Sequence, residues 1–412
     1  MSFFGTAAPR LGSGSLGRPR IARQAPLWLL AFALVVRLTV LVRRRAADEF
    51  ASIDSFALLQ VGIAALGGLV LLGSPRLPAV LRDLRRPSTL FFPGFYVLGV
   101  LSAAWSELPA YSAFRAGEAL VQALLVLVAL SYAGDAGRAE RQVLRAAFAV
   151  IALQLAPVLL LGDFTLRAFH SNTFATTGAM VCAYCIGEIL ARPEALRRGR
   201  LLGGGVVAGG LVAISSSSGS NVAVACALTL GALLARRVGL AITIALGSTA
   251  TFALFSTEGF LPVLFPGKDY SDIAGMGGRM VLWERYADRF RENLFFGEGF
   301  AVSARLASLY TTNTHNSFFS ALLATGLVGG ILYVLGWLGL FCGSVRAAWQ
   351  GRGGVGVACA LTAGVVNSNS KAFLAESWYP STLVFALFFG LYLAQRREAV
   401  DDGEVLSAGR AR

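Results

Sequence analysis

Apolar runs of bilayer length recur from one end of this chain to the other, and they leave few alternatives for its fold. A helix rises about 1.5 Å per residue, so roughly 20 apolar residues cross a hydrocarbon core about 30 Å thick. Such runs read at about 27–42, 53–73, 88–106, 115–133, 143–162, 171–191, 201–217, 220–235, 238–255, 316–343, 355–371 and 378–395. In hydrocarbon every backbone polar group must be bonded within the segment, so runs of this kind become helices. The expectation is an all-α, polytopic integral membrane protein with about twelve transmembrane helices. Charged residues make up 14% of the chain and hydrophobic ones 56%, against roughly 25% charged in soluble chains. A water-soluble globule is thereby excluded.

The runs divide the chain. A cytoplasmic N-terminal tail is expected at 1–26, transmembrane helices 1–9 at 27–255, and a large periplasmic loop between helices 9 and 10 at 256–315. Helices 10–12 follow at 316–395, and a cytoplasmic C-terminal tail at 396–412. No internal repeat is visible. The first run does not read as a cleaved signal, because Arg43-Arg44-Arg45 follows it where a small-residue cleavage site would stand. With both ends cytoplasmic, the inner segments gather most of the arginines, among them Arg76, Arg82, Arg85, Arg86, Arg192, Arg197, Arg198, Arg200, Arg396 and Arg397. This is the positive-inside pattern, with Arg43 to Arg45 against it. The net charge of +13 therefore records orientation, and nucleic acid is not expected as a partner.

All five cysteines fall inside apolar runs. Cys182 and Cys185 have C-x-x-C spacing but no histidine or carboxylate neighbour, which favours packing over redox or metal chemistry. Glycines around 203–210 and 326–330, with Gly339 and Gly343, fit close helix contacts. Gly275-Met-Gly277-Gly278 follows no strand and is not a nucleotide cradle.

The polar stretch 256–315 is the natural place for chemistry. Within it Met280, Trp283, Ala287, Phe290 and Leu294 recur at helical spacing, with Arg285, Asp288, Arg289 and Glu292 on the other side, so an amphipathic helix is expected. Arg279 stands at its start, where a cation opposes the helix dipole. It is either a headgroup-facing or salt-bridged arginine, or a bidentate diphosphate ligand. The stretch ends in His315-Asn316, one of only two histidines. An imidazole has an unperturbed pKa of about 6.5 and can take a proton near neutrality; the alternative is a structural, hydrogen-bonded ring. Asn316 and Ser317 can cap the following helix, and the cap reading is preferred for His170-Ser171-Asn172.

Ser215 to Ser218 with Gly219-Ser220-Asn221 reads as an outer hairpin whose hydroxyls satisfy a turn sunk in the membrane, or bind phosphate or sugar oxygens. Arg115, Glu118 and Gln122 share a helix face, favouring an Arg115–Glu118 pair over a ligand site. Lys371, after Asn367-Ser-Asn369-Ser, either snorkels or offers a point charge to an anion.

Gly278-Arg279-Met-Val-Leu-Trp283 followed by Phe296-Gly297-Glu-Gly299-Phe300, then His315-Asn316-Ser-Phe-Phe with Gly326-Leu-Val-Gly329, resembles the bacterial O-antigen ligase and polysaccharide polymerase superfamily. The family's twelve spans, cytoplasmic ends and large loop between spans nine and ten cover nearly the whole chain; the motifs cover about 50 residues. The resemblance implies glycan transfer from undecaprenyl diphosphate to an acceptor sugar hydroxyl, on a growing glycan or a lipid A core, at the outer face of the bacterial inner membrane. It implies His315 as general base and Arg279 on the lipid-linked diphosphate, with no metal and no cofactor. Ligases of this family usually carry a Ser-Arg pair at the outer start of span eight, where this chain has Ser218-Gly219-Ser220-Asn221. Arg305, Lys371 or Arg115 are the candidates to replace the missing arginine, with Asn316 and Ser220 in support.

Two other readings compete. A metal-dependent membrane glycosyltransferase would use Asp48-Glu49, a poor match to the spaced acidic residues that chemistry wants. A twelve-helix flippase or transporter of lipid-linked saccharides would place polar residues at mid-membrane in broken helices of two corresponding halves; here the polar groups gather at one face.

Overall fold

The computed structural model describes residues 20–42, 55–161, 171–194, 199–215, 217–255, 279–302, 314–375 and 379–410. His170, Arg305, the Arg43 to Arg45 cluster, Asp48-Glu49 and the first part of the expected periplasmic loop lie outside these residues. Among them the chain is all-helical, without a strand. The helices are α1 (Arg20–Val42), α2 (Ser55–Leu72), α3 (Leu77–Leu84), α4 (Phe91–Leu101), α5 (Pro109–Ser131), α6 (Ala136–Leu161) and α7 (Ser171–Ala191). They continue as α8 (Gly199–Ile214), α9 (Ser218–Leu234), α10 (Val238–Phe255), α11 (Arg279–Glu292), α12 (Ser317–Trp349), α13 (Val355–Ser368) and α14 (Pro380–Arg410).

Local chemistry sets the ends of these helices. Proline opens α5 and α14, where its missing N–H costs nothing and its fixed φ suits the first turn. After α9 the chain turns through Arg236 at φ 59, and the N–H of Arg237 reaches back to the carbonyl of Ala232 at 2.8 Å. Gly351 at φ 69 does the same after α12, with Arg352 bonding Ala347 at 2.8 Å. Beyond α2 the chain bends by 95° into α3. This short helix buries Val80, Asp83 and Leu84 and is tied to α14 by an ion pair between Asp83 and Arg397. Nothing in the sequence reading foresaw it. The last helix likewise continues as far as Arg410, well into the expected tail.

Three helical stretches, Pro109–Ser131, Thr173–Ala191 and Ser317–Trp349, are long and apolar enough to cross a bilayer, and the bent pair of α2 and α3 makes a fourth if counted as one span. Further apolar helices among the described residues are shorter, at 10–17 residues. The chain is a multi-pass membrane protein by this composition. At its centre α7 packs against α8, α9 and α13. A Cβ on Gly187 would meet the Cα of Gly356 and the Sγ of Cys359 at 2.9 Å, so the backbones there approach too closely for any larger residue. Cys182, Cys185 and Cys359 are buried in this packing as free thiols. The same core continues into α4, α12 and α14 through aromatic rings, with Phe95 and Tyr333 at 4.9 Å and Trp337 and Phe385 also at 4.9 Å.

The break in α12 positions the site. At Gly326 the backbone leaves the helix (φ 65, ψ −162), a region open only to glycine. The loop after α11 fills the gap. The N–H groups of Glu298 and Gly299 donate to the carbonyls of Leu323 and Ala324, each at 2.9 Å, and Leu327 N–H donates to Leu294 at 2.8 Å. Phe300 then enters a fully buried cage with Phe95 and Tyr96, its N–H held by Ser102 Oγ at 2.9 Å. Every backbone group freed by the break that is named here has a new partner, as a low-dielectric interior requires. The sequence reading had assigned these glycines to helix contact; Gly326 instead opens the helix.

Candidate functional site

The site forms around the start of α12. Asn316 caps this helix: its side-chain oxygen accepts from the N–H groups of Phe318 and Phe319 at 2.9 and 3.1 Å. His315, one residue earlier, is half-buried and held at φ 55, a left-handed conformation uncommon for residues other than glycine. Thr314 enforces it. Its hydroxyl donates to the Asn316 carbonyl at 2.8 Å and pairs with Ser320 Oγ. The histidine is thus fixed at the tip of a tight turn by hydrogen bonds on both sides.

Helix α11 is latched to this turn at its first end and to the break in α12 at its other. Trp283 Nε1 donates to the Thr314 carbonyl at 2.9 Å, and its ring stacks on Phe319 at 6.0 Å. At the far end Arg289 pairs with the buried Glu298 at 2.7 Å. Between them Tyr286 is fully buried. The sequence reading placed Arg289 on the polar side and passed over Tyr286, although its spacing from Trp283 and Phe290 is the helical signal that would have found it. Arg279 stands one turn before Trp283, on the same face. It is half-buried, and burial pulls its guanidinium below the usual arginine range. Among the described residues no carboxylate forms an ion pair with it.

Two further segments close on the same turn. Ser317 Oγ donates to the Lys371 carbonyl at 2.8 Å and accepts from Phe373 N–H at 3.1 Å. This places the loop after α13 beside His315. Part of the Lys371 stem is exposed, but its Nζ is buried with no hydrogen-bond partner among the described residues, and burial pushes its pKa down to about 7. Ser220 at the start of α9 donates to Asn367 Oδ1 at 3.0 Å and receives Ser217 Oγ at 3.2 Å. A Cβ on Gly219 would meet Ser370 Oγ at 2.2 Å, so α9 lies directly against the loop that carries Lys371.

His315, Asn316, Lys371 and Ser220 therefore belong to one contiguous end of the bundle, with Arg279 joined to it through Trp283. Arg115 does not share these contacts. It pairs with Glu118 at 2.8 Å, reaches Gln60 at 3.3 Å, and packs against the rings of Tyr111 and Phe114. Arg305 and His170 lie outside the described residues. Among those described, no three His, Cys, Asp or Glu side chains form a metal-ligating group.

The arrangement pairs a proton-accepting ring with two partly desolvated cations on neighbouring segments. Groups of these kinds can take up a proton and bind phosphate oxygens. Residues 203–334 match the family model described as O-Antigen ligase. The matched stretch runs from α8 into α12 and includes Ser220, Arg279, His315 and Gly326; Arg115 and Lys371 lie beyond it. No curated protein matches the chain.

Proposed function

We propose that this member of the O-antigen ligase-like superfamily transfers glycan from an undecaprenyl-diphosphate-linked donor to an acceptor sugar hydroxyl at the periplasmic face of the bacterial inner membrane. The observation that carries the reading is His315, pinned in a left-handed turn that Ser317 ties to the backbone of Lys371, whose buried Nζ has no hydrogen-bond partner among the described residues. His315 takes the proton of the acceptor hydroxyl, and the oxygen attacks the anomeric carbon of the donor. The bond from that carbon to the phosphate oxygen breaks, and its electron pair leaves with the diphosphate. Arg279 and Lys371 neutralise the charge that builds there. A positioned base contributes typically about 10²–10⁴-fold, and preorganised cations at a leaving group contribute on a similar or larger scale.

Lys371 takes the place that a second arginine holds in related ligases, and its low pKa has a purpose in this scheme. An empty site carries less charge than a buried ammonium would impose, and an incoming diphosphate draws the proton back. Arg115, already paired with Glu118, is left with a structural role. Asn316 and Ser220 orient the turn and the Lys371 loop. Twelve spans, both termini in the cytoplasm and 256–315 facing outward complete the proposal, with the acceptor either a growing glycan or a lipid A core. The 294–300 loop fills the break in α12 with backbone hydrogen bonds, which favours this reading over a transporter with an open broken helix.

The test is reconstitution of the purified protein with lipid-linked donor, with and without lipid A core, in the presence of EDTA. Extended donor-linked glycan without core marks a polymerase, and glycan on lipid A core marks a ligase. Donor that crosses the bilayer unconsumed, with His315→Ala behaving as the wild type, would identify a carrier instead.

A further inference from the structure

The end of the bundle opposite His315 holds a cavity of about 420 Å³. The 14 residues of α13 separate the two ends, a rise of about 21 Å. Four arginines reach the cavity from four elements: Arg141 from α6, Arg192 from the end of α7, Arg200 from α8 and Arg352 from the turn after α12. All four side chains are exposed, and among the described residues none forms an ion pair. Two carboxylates, Glu140 and Glu398, share the lining with them. Glu398 accepts from the N–H of Ala136 at 3.1 Å, and Glu140 is hydrogen-bonded to Tyr184. The cavity floor is also satisfied, with the Gly354 N–H donating to Gln395 Oε1 at 2.8 Å.

Four guanidinium groups against two carboxylates leave the lining with an excess of positive charge, and a bound anion relieves the repulsion among them. Guanidinium forks match the geometry of phosphate oxygens and hold them by paired, charge-assisted hydrogen bonds. Basic pockets between transmembrane helices hold lipid head groups by this chemistry. The volume is of the size that small ligands occupy. We propose that this arginine-rimmed cavity is a second binding site, specific for a phosphate group, carried by an anionic phospholipid or free in solution.

The test uses the full-length protein in nanodiscs of phosphatidylcholine, of phosphatidylcholine with added phosphatidylglycerol, and of phosphatidylcholine with inorganic phosphate in the buffer. The readout is the thermal unfolding midpoint as each probe is titrated, since a ligand of the folded state raises it. The midpoint is expected to rise for the wild type and for Arg82→Gln/Arg85→Gln, whose arginines lie outside the cavity. Arg192→Gln/Arg352→Gln is expected to match the wild type in phosphatidylcholine alone and to lose the rise, with apparent affinity about fivefold weaker per arginine. A rise with phosphatidylglycerol only identifies the lipid as the source, and a rise with phosphate identifies a soluble anion. No rise with either probe, or a rise that the cavity variant retains in full, overturns the proposal. Arg200→Gln alone, a change at an exposed helix start, gives the same readout should the double variant fold poorly.

Discussion

A buried amine without a hydrogen-bond partner is costly to protonate, and Lys371, on the segment bonded to the turn that carries His315, has none among the described residues. Its pKa of about 7 makes the cost visible as a pH dependence. Because the folded protein releases this proton more readily than the unfolded chain, stability rises as pH climbs from about 7 towards the unfolded value near 10.4. Lys371→Met should therefore melt above the wild type at pH 7, and the gap should narrow towards pH 9; a constant gap would mean that the ammonium is solvated. In turnover the same group should make the donor KM rise above pH 7, and Lys371→Met should raise KM throughout while flattening that dependence. Arg279→Ala should leave an inserted protein with turnover reduced about a hundredfold or more, the scale on which loss of a charge-stabilising donor acts. These residues were readable in the sequence as a histidine, an arginine and a lysine near helix ends. Their connection was not, because Trp283, Thr314 and Ser317 make it through single hydrogen bonds that no spacing reveals.

At the scale of elements, the latch of α11 and the break in α12 hold the site together. Trp283→Phe keeps the stacking on Phe319 but removes the N–H to Thr314, a hydrogen bond worth about 1 kcal/mol. The expected result is faster hydrogen exchange in α11 with turnover lowered by up to about fivefold, and unchanged exchange there would remove the latch from the account. Gly326→Ala meets two obstacles. Its φ and ψ belong to glycine, at about 1–3 kcal/mol for another residue, and its Cβ would meet the Phe295 carbonyl at 2.2 Å. Loss of stability, measured as a lower unfolding midpoint in nanodiscs, should exceed that of Gly203→Ala, where a Cβ meets nothing within 4 Å. The sequence carried the amphipathic pattern of α11 clearly enough to find the helix. It did not carry the break, since an apolar run through Gly326 and Gly329 reads the same whether the helix continues or opens to admit a loop. Only the partner segment 294–300 decides between them, and that pairing is long-range.

For the whole molecule, the apolar runs made an all-helical membrane chain legible from composition alone, because hydrocarbon admits few backbone solutions. The short helix α3 and the extension of α14 to Arg410 were less legible, as each depends on a packing partner, Arg397 with Asp83 among them. Arginines then divide the molecule into two ends, one with the cavity of Arg141, Arg192, Arg200 and Arg352, the other with His315. If the positive-inside reading holds, a cysteine placed at Arg352 should label only from the cytoplasm and one at Asn369 only from the periplasm; the reverse pattern would invert the proposed orientation. The central claim is that His315 deprotonates the acceptor. Its most direct measurement is single-turnover glycan transfer by His315→Ala, reconstituted with saturating lipid-linked donor after donor binding has been shown to persist. The account predicts transfer at least about a hundredfold slower than the wild type, with donor affinity within a few-fold. Transfer at the wild-type rate would contradict it.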